Sequence, residues 1–303
     1  MSVPLARLED FNISDNQLSF IDLAETPKLR SLRLDRNSVA SIESLGNLKH
    51  LETLSWREQT LVPAYGFAEI QYQLCHEVRN LYLSGNALST FAPSTPFLNL
   101  QRLELASTGL QTLPPDFGLT CPNLRTLNLN YNAIRDLRPL LGIVKLQDLF
   151  LAGNRVSRLR RTAAVLDRLG KDLLEIDLRN NPLTVGFYTP QDSSREEKQI
   201  VAHNAKIPID NEEVEARDEK AFLLPPLDSE LDERSRERLD EDTKLRRRVY
   251  EMLVVNACKR LSHLDGLEVS RRNVGQRDGV WERLLELGVL KEKDGKDARK
   301  CID

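Results

Sequence analysis

Residues 124–134, LRTLNLNYNAI, and residues 146–156, LQDLFLAGNRV, share one eleven-residue frame, L-x-x-L-x-L-x-x-N-x-L. Residues 29–39, LRSLRLDRNSV, follow the same frame. Weaker copies begin at Leu8, Leu51, Val78, Leu100 and Leu173, so that eight copies lie between residues 8 and 183. Successive copies start 21, 22, 27, 22, 24, 22 and 27 residues apart. A frame that recurs eight times at this spacing predicts a chain built of stacked, similar units.

The frame also predicts the structure of each unit. Its first three apolar positions alternate with polar ones, as in a strand with one buried face. A unit of this size cannot bury that face alone and must stack on its neighbours. We therefore predict an α/β solenoid of leucine-rich repeats of the short, 22-residue class, with a parallel sheet on its concave side and a C-terminal helical cap.

The asparagine of the frame stands where the chain turns out of the strand. Its side-chain amide can satisfy backbone groups of adjacent turns that burial would leave unpaired. We therefore interpret these residues as a structural ladder without a direct functional role, comprising Asn16, Asn37, Asn86, Asn132, Asn154 and Asn181. Gln59 and Thr108 occupy the same position in two copies, where we expect a locally weaker ladder.

Composition points away from a membrane protein, a metal protein and an enzyme. The net charge is −3, and no apolar run approaches the roughly 18 residues of a membrane span. The N-terminus lacks the order of a signal peptide, so we expect a cytosolic or nuclear chain. The four cysteines are far apart without a C-x-x-C pair, and the four histidines lie in no catalytic motif. We expect no cofactor, no metal and no enzymatic activity.

We divide the chain into repeats over residues 1–183, an acidic insertion over 184–243, a C-terminal cap over 244–290 and a tail over 291–303. Solenoids need capped ends, and only seven residues precede Leu8. We therefore expect further repeats or another region upstream in the full-length protein. The long third repeat, through residues 63–75, is expected to be irregular on its convex side.

The insertion contains a short apolar segment in acidic surroundings. Residues 210–242 hold 14 acidic and 5 basic residues, and residues 222–227 read FLLPPL. The prolines exclude a regular helix there. We interpret the segment as an extended strap against the flank of the solenoid; the alternative is a free docking motif for a partner.

The cap is predicted to contain two helices and a closing coil. Apolar residues from Leu245 to Leu261 recur at helical spacing after the basic cluster of residues 244–248, and residues 261–267 repeat the opening of the frame. Trp281, Leu284 and Leu285 lie on one face of a second helix, which we expect to cover the leucines of the last coil. Acidic residues directly upstream can neutralise the basic cluster, so we do not expect nucleic-acid binding.

Candidate functional residues lie on the concave face, where strand side chains not used by the core are displayed. Tyr82 and Phe150 are large aromatics at such positions, and we expect their replacement by alanine to leave folding intact. An inert surface, or contact with another part of the same protein, are the alternatives. The candidate partner-binding residues are Arg33, Arg57, Tyr82, Glu104, Asn128, Tyr131, Phe150 and Arg179.

Segments after the last repeat carry a family resemblance. The short coils, RNNPLTVGFY at residues 179–188, FLLPPL at 222–227, LRRRVYEM at 245–252 and LDG at 264–266 resemble the C-terminal region of the fungal spindle-pole-body scaffolds of the septation-initiation and mitotic-exit networks, relatives of animal centriolin. The resemblance covers most of the chain, from the repeats to Trp281.

The resemblance implies a non-catalytic, protein-binding scaffold in the cytoskeleton at the spindle pole body. Its implied partners are a structural component of that body, a small GTPase with its two-part activating complex, and downstream kinases. In that family the kinase-recruiting region lies N-terminal to the repeats, so kinase binding is not assigned to these residues. A regulatory subunit of a protein phosphatase and a splicing or RNA-export repeat protein remain the alternatives.

Overall fold

The computed structural model describes residues 5–40, 42–59, 77–88, 90–189 and 221–290. The segment of the third repeat predicted to be irregular, residues 63–75, lies outside them. Within the described residues, short strands stack into one curved sheet of ten strands in the order β1-β3-β5-β6-β7-β8-β9-β10-β11-β12. Its pairs are parallel except the last, β11 with β12. The predicted leucine-rich-repeat solenoid with a parallel sheet is confirmed.

Each frame supplies one strand of this sheet. The strands are β1 (Asp10–Asn12), β3 (Ser31–Arg33), β5 (Thr53–Ser55), β6 (Asn80–Tyr82), β7 (Arg102–Glu104), β8 (Thr126–Asn128), β9 (Asp148–Phe150), β10 (Glu175–Asp177), β11 (His263–Leu264) and β12 (Leu267–Glu268). A separate pair, β2 (Ile21–Asp22) and β4 (Ile42–Glu43), is parallel as well. We number the coils one to eight by their frames, and name the turn of β11 and β12 the closing coil.

The register of the sheet places equivalent frame positions side by side. Leu54, for example, lies opposite Leu32 and Leu81, and all three side chains are fully buried. The same row continues to Ile176 and Leu264, so the closing coil extends the core of the repeats. Burial of apolar side chains between coils is therefore what holds the units together.

Helices complete the outer side and the C-terminal end. They are α1 (Phe117–Thr120), α2 (Leu159–Leu169), α3 (Ser229–Arg238), α4 (Glu241–Ala257), α5 (Arg271–Val274) and α6 (Gly279–Glu286). Three 3-10 turns are Leu5–Arg7, Leu45–Asn47 and Arg138–Leu140. The helix α3 lies in the segment interpreted as an acidic insertion, and an N-cap at Asp228, whose carboxylate accepts from two backbone amides, starts it.

The asparagines of the frame join neighbouring coils. Asn86 Nδ2 donates to the carbonyl of Trp56 in the preceding coil, at 2.7 Å, and to that of Leu83 in its own coil, at 2.8 Å. Its Oδ1 accepts from the backbone amide of Gln59. Donation to both coils recurs at four ladder residues, Asn37, Asn132, Asn154 and Asn181. In coil one, Asn16 is exposed and donates only within its own coil.

The two departures from asparagine differ in their effect. Gln59 Nε2 donates to the carbonyls of Leu34 and Arg57, both at 2.9 Å, so the expected weakening at Gln59 is wrong. The longer side chain still reaches both coils. Thr108 has one hydroxyl hydrogen, and its carbonyl acceptor, Leu105, lies in the same coil. Asn132 Oδ1 compensates by accepting from the Thr108 backbone amide.

We name α3 to α6 together with the closing coil the closing structure. It differs from the predicted cap in which helix covers the last coil. Helix α4 packs against α2 and buries Tyr250, Val254 and Val255 in the core of the repeats. Helix α6 instead packs on the opposite side of α4, where Leu284 meets Met252 in a separate apolar cluster. The expectation that α6 covers the leucines of the last coil is therefore wrong, because α4 presents apolar side chains on two faces.

Two arginines of the basic cluster in α4, Arg247 and Arg248, are used inside the molecule. Arg247 is buried and donates to Asp232 of α3 at 2.6 Å, to Glu251 at 3.0 Å and to the carbonyl of Phe187 at 2.7 Å. Arg248 donates to the carbonyl of Asn273 and to Asp278. These bonds fasten α3, α4 and α6 together, so both arginines are engaged in the fold.

Candidate functional site: the concave groove and its strap

The concave face carries the predicted partner-binding residues, but it is not an open surface. Arg57, Glu104, Asn128 and Arg179 are each 3% exposed, and the aromatic side chains of Tyr82 and Phe150 are buried as well. Arg33 is half-buried, and Tyr131 is 42% exposed. The expected exposure of Tyr82 and Phe150 is therefore wrong. The effect of their replacement on folding stays a prediction. Partner binding by the eight residues stays a prediction.

A charged cluster lies at the centre of coils two to five. The Arg57 guanidinium donates to both oxygens of Glu104, Nε to Oε1 at 2.8 Å and Nη2 to Oε2 at 3.0 Å. Its Nη1 lies 3.7 Å from Asp35 Oδ2, and Asp35 accepts from Ser55 Oγ. The guanidinium carbon stands 4.4 Å from the centre of the Tyr82 ring. This two-point pairing with Glu104 fixes the plane of the guanidinium.

Residues 222–227, here named the strap, cross this face. Asn128 Nδ2 and Asn130 Nδ2 donate to the Phe222 carbonyl, at 3.1 and 2.9 Å. The Phe222 ring lies 5.9 Å from the guanidinium carbon of Arg57. The predicted position on the flank of the solenoid is wrong. Among the alternatives left open for the concave face, contact with another part of the same protein describes what the structure shows.

The far end of the strap is held by coil eight and the closing coil. Arg179 Nη1 donates to the Pro225 carbonyl at 2.8 Å, while its Nε and Nη2 donate to Asp177. The Leu227 amide donates to the Gly266 carbonyl at 3.0 Å. A Cβ on Gly266, whose φ is +77°, would lie 3.1 Å from the Arg179 guanidinium, so a side chain there would press on it.

Burial shifts two acids, Glu104 and Asp265, toward their neutral forms. Desolvation raises the pKa of Glu104, while the Arg57 charge and hydrogen bond oppose that shift. In the closing coil, burial and the nearby Asp177 raise the pKa of Asp265 to about 6, although Tyr188, Tyr250 and the Leu178 amide all donate to it. These acids belong to structural networks, since each is fully paired within the fold.

The chemistry of the face suits binding. Over the ranges that the structure describes, no three His, Cys, Asp or Glu side chains come together as a metal site. Burial raises the pKa of the thiols of Cys121 and Cys258 to about 12. Among the described helices, none has the length and apolar character needed to cross a bilayer. What the face offers is a row of fixed amide and guanidinium donors.

Sequence reasoning missed three residues of this site. Asn130 lies two residues beyond Asn128 in the same coil and shares its acceptor, whereas Asp35 and Asp177 hold Arg57 and Arg179. The sequence did carry a signal for Asp35 and Asp177. In more than one coil, an acid at one concave position of the strand is accompanied by an arginine at the other concave position. Which acid pairs with which arginine depends on the coil stacking, and Arg57 reaches past coil four to Glu104 in coil five.

Comparisons with known proteins agree with this architecture. Residues 99–156 match the family model described as leucine rich repeat. The chain is 31% identical, over 83% of its length, to the septation initiation network scaffold protein cdc11 of Schizosaccharomyces pombe, of which it spans 23%. The resemblance stated from the sequence is confirmed.

Two further matches concern the repeats. Over 44% of the chain, identity to leucine-rich repeat-containing G-protein coupled receptor 5 of Xenopus tropicalis is 30%, covering 15% of that receptor. The crystal structure of an internalin C2 from Listeria monocytogenes matches with a TM-score of 0.50 and 22% identity, over 59% of this chain and 74% of that one. The internalin likeness shows the fold alone. Both the fold and the scaffold relative are typical of non-enzymatic interaction domains.

Proposed function

Because the chain is a leucine-rich-repeat protein similar over most of its length to a septation scaffold, we propose that it is the docking region of such a scaffold. In this proposal it anchors mitotic-exit or septation components at the spindle pole body and has no catalytic role. Its partners are proteins: a structural component of the spindle pole body and, through the full-length protein, a GTPase with its activating complex and kinases.

The observation that carries the proposal is the extent of the match with the septation scaffold. A match over 83% of the chain reaches beyond the repeats, whereas the receptor match covers 44% of it. Leucines at frame positions recur in any protein of this fold, so they do not specify function. The segments after the last repeat build the strap, α3 and α4, and they are the part of the molecule in which similarity is informative.

The structure supports a binding role through the concave face. Solenoids of this kind display a continuous concave surface to partners. Here that surface carries fixed donors in coils six and eight and an arginine beside the Tyr82 ring, features that favour recognition of a peptide chain.

A graft tests the proposal. The region of the Schizosaccharomyces pombe scaffold that matches this chain is replaced by it, and the fusion is followed by fluorescence in cells without the native copy. We expect the fusion to collect at spindle poles and to support septation. The matched control carries the internalin C2 repeats in the same place, because they share the fold of this chain at only 22% sequence identity.

Two results would contradict the proposal. One is a fusion that is made at the normal level but stays diffuse; the other is equal recruitment of the internalin control. Proteins that co-purify with the fusion then identify the alternative, since a phosphatase catalytic subunit or ribonucleoproteins would point to the other two classes considered from the sequence.

A further inference from the structure

The strap is recognised mainly through its backbone. The two carbonyls that accept from the groove belong to Phe222 and Pro225, three residues apart, and their donors stand in coil six and coil eight. The Phe222 ring, near Arg57, adds a side-chain contact. A binding site of this kind depends more on the backbone conformation of the bound segment than on its sequence.

The spacing of the donors matches one conformation. Adjacent parallel strands lie about 4.8 Å apart, so two coil steps separate the donors of coils six and eight by roughly 10 Å. A polyproline II helix rises about 3.1 Å per residue with 3 residues per turn, which places carbonyls i and i+3 on the same side, roughly 9 Å apart. Pro225 and Pro226 favour that conformation, and Leu224 is restricted by the proline that follows it.

The donors are held in place by bonds that do not involve the strap. Arg179 is fixed by Asp177 through Nε and Nη2, which leaves Nη1 for the peptide carbonyl. Asn130 Oδ1 accepts from the Ala152 amide and Asn128 Oδ1 from the Asn130 amide, so both Nδ2 groups point into the groove. A site organised in this way loses little conformational freedom on binding.

The strap is more exposed to solvent than the groove residues that bind it. Asn128, Asn130, Arg57 and Arg179 are at most 3% exposed, whereas every residue of the strap is half-buried or exposed. Pro226 is exposed and the other five residues are half-buried. Other domains bind peptides in this conformation in grooves, because a preformed polyproline II segment loses little conformational entropy on binding.

We propose that the concave groove between Arg57 of coil three and Arg179 of coil eight is a binding site for polyproline II peptides, which the strap fills within the chain. From a partner protein it takes an extended segment with an aromatic residue three positions before a proline, the pattern of Phe222 and Pro225. The inference rests on the proposed function only in that the partner is a protein, and it names the chemistry of the partner segment.

A peptide titration tests the inference on the whole chain. The probe is a fluorescent peptide of residues 221–228, AFLLPPLD, and its matched control, AALLAPLD, lacks the aromatic ring and the first proline. The receptors are the unmodified chain and a variant with a weakened strap, Phe222→Ala with Pro225→Ala. A tethered segment competes at an effective concentration of about millimolar, so we expect the weakened-strap variant to bind the probe at least tenfold more tightly.

A third variant of the chain tests whether the peptide binds in the groove. Asn128→Asp in the weakened-strap background keeps the Oδ1 acceptor for the Asn130 amide and removes the donor to the peptide carbonyl. We expect it to lose at least tenfold in affinity for the probe. If the weakened-strap variant is too unstable to use, the single variant Pro225→Ala replaces it. Displacement of the strap can also be measured in the unmodified chain, where we expect saturating probe to speed hydrogen exchange of the Leu227 amide.

Three outcomes would overturn the inference. A folded weakened-strap variant that fails to bind the probe would make the strap a permanent brace. Equal affinity for the unmodified and weakened-strap chains, or an unchanged affinity in Asn128→Asp, would place the peptide elsewhere. Purified components suffice for this assay, so its failure leaves spindle-pole recruitment of the graft as a separate result.

Discussion

The coils and the closing structure satisfy their buried polar groups by different means. In coils two to eight the side chain that joins neighbouring backbones is almost always a neutral amide, as at Asn86. At the C-terminal end the joints are ionised: Arg247 is shared among Asp232, Glu251 and the Phe187 carbonyl. The first arrangement is the same in each coil, whereas the second occurs once.

The difference follows from what each region joins. A carboxamide donates and accepts at once, so one asparagine per coil can connect to both neighbours without a counterion. The closing structure has no next coil, and it joins the segment after coil eight to α3 and α4. A guanidinium with five donors suits three acceptors from separate segments, at the cost of desolvating a charge. At the asparagine position of the frame, repetition therefore favours neutral groups, whereas termination here relies on charged ones.

Removing the central charge should have the largest effect. We expect Arg247→Met to lower the free energy of unfolding by about 3–4 kcal/mol, because the half-buried Asp232 and the buried Glu251 are left with less compensation for their charges. Arg246→Met is the matched control, since Arg246 is exposed and pairs with the exposed Asp242; it should change stability by less than about 1 kcal/mol. Urea denaturation measures both. Equal losses in the two variants would show that the cluster does not hold the closing structure.

The floor of the groove tests whether the coils depend on their concave aromatics. Phe150→Ala should cost about 2–3 kcal/mol, less than a sealed core phenylalanine, because water can enter from the groove. Tyr131→Ala, at an exposed position nearby, should cost less than about 1 kcal/mol. Thermal melts compare the two. If Phe150→Ala is as stable as Tyr131→Ala, Phe150 contributes no more to the stability of the fold than an exposed residue does.

The asparagine ladder should give a smaller loss that depends on position. Asn132→Leu removes the amide that serves Leu105 and Leu129 as donor and Leu110 as acceptor, and we expect it to cost roughly 1–3 kcal/mol. Asn16→Leu, in the exposed first coil, should cost a few tenths of a kcal/mol by the same reasoning. Chemical denaturation measures the loss of stability in both variants. Similar losses at the two positions would contradict the role of the buried asparagine in joining neighbouring coils.

The sequence predicts the coils much better than it predicts the site. The frame places Leu54 and Leu127 in the core because each contact repeats at a fixed spacing. No such period links Arg179 to Pro225, whose contact joins a repeat residue to a segment outside the array. The strap was recognisable as apolar, extended and attached, but its side of the solenoid depends on donors that only the stacked coils assemble. For the same reason Phe150 appeared exposed when its strand was considered alone.

The smallest expected effect is a dependence on pH that belongs to the closing structure. The pKa of Asp265 is raised to about 6 by burial and by Asp177, against about 3.9 for an unfolded aspartate. Between these values the folded chain binds more protons than the unfolded chain, so this group makes stability fall as pH rises from about 4 to about 6. Other raised acids, such as Glu104, shift stability in the same direction, so the unmodified chain alone cannot assign the effect.

Asp265→Asn isolates the contribution. The amide cannot titrate and can still accept from the Leu178 amide, although Tyr188 and Tyr250 must reorient their hydroxyls, so the variant should be less stable at every pH. The stability difference between the chain and the variant should shrink by on the order of 1 kcal/mol between pH 4 and pH 7, because only the aspartate bears the increasing penalty of a buried charge. Urea denaturation at intervals of pH measures it. A difference that stays constant across this range would mean that the pKa of Asp265 is not raised by folding, and this group would then add no pH dependence to the closing structure.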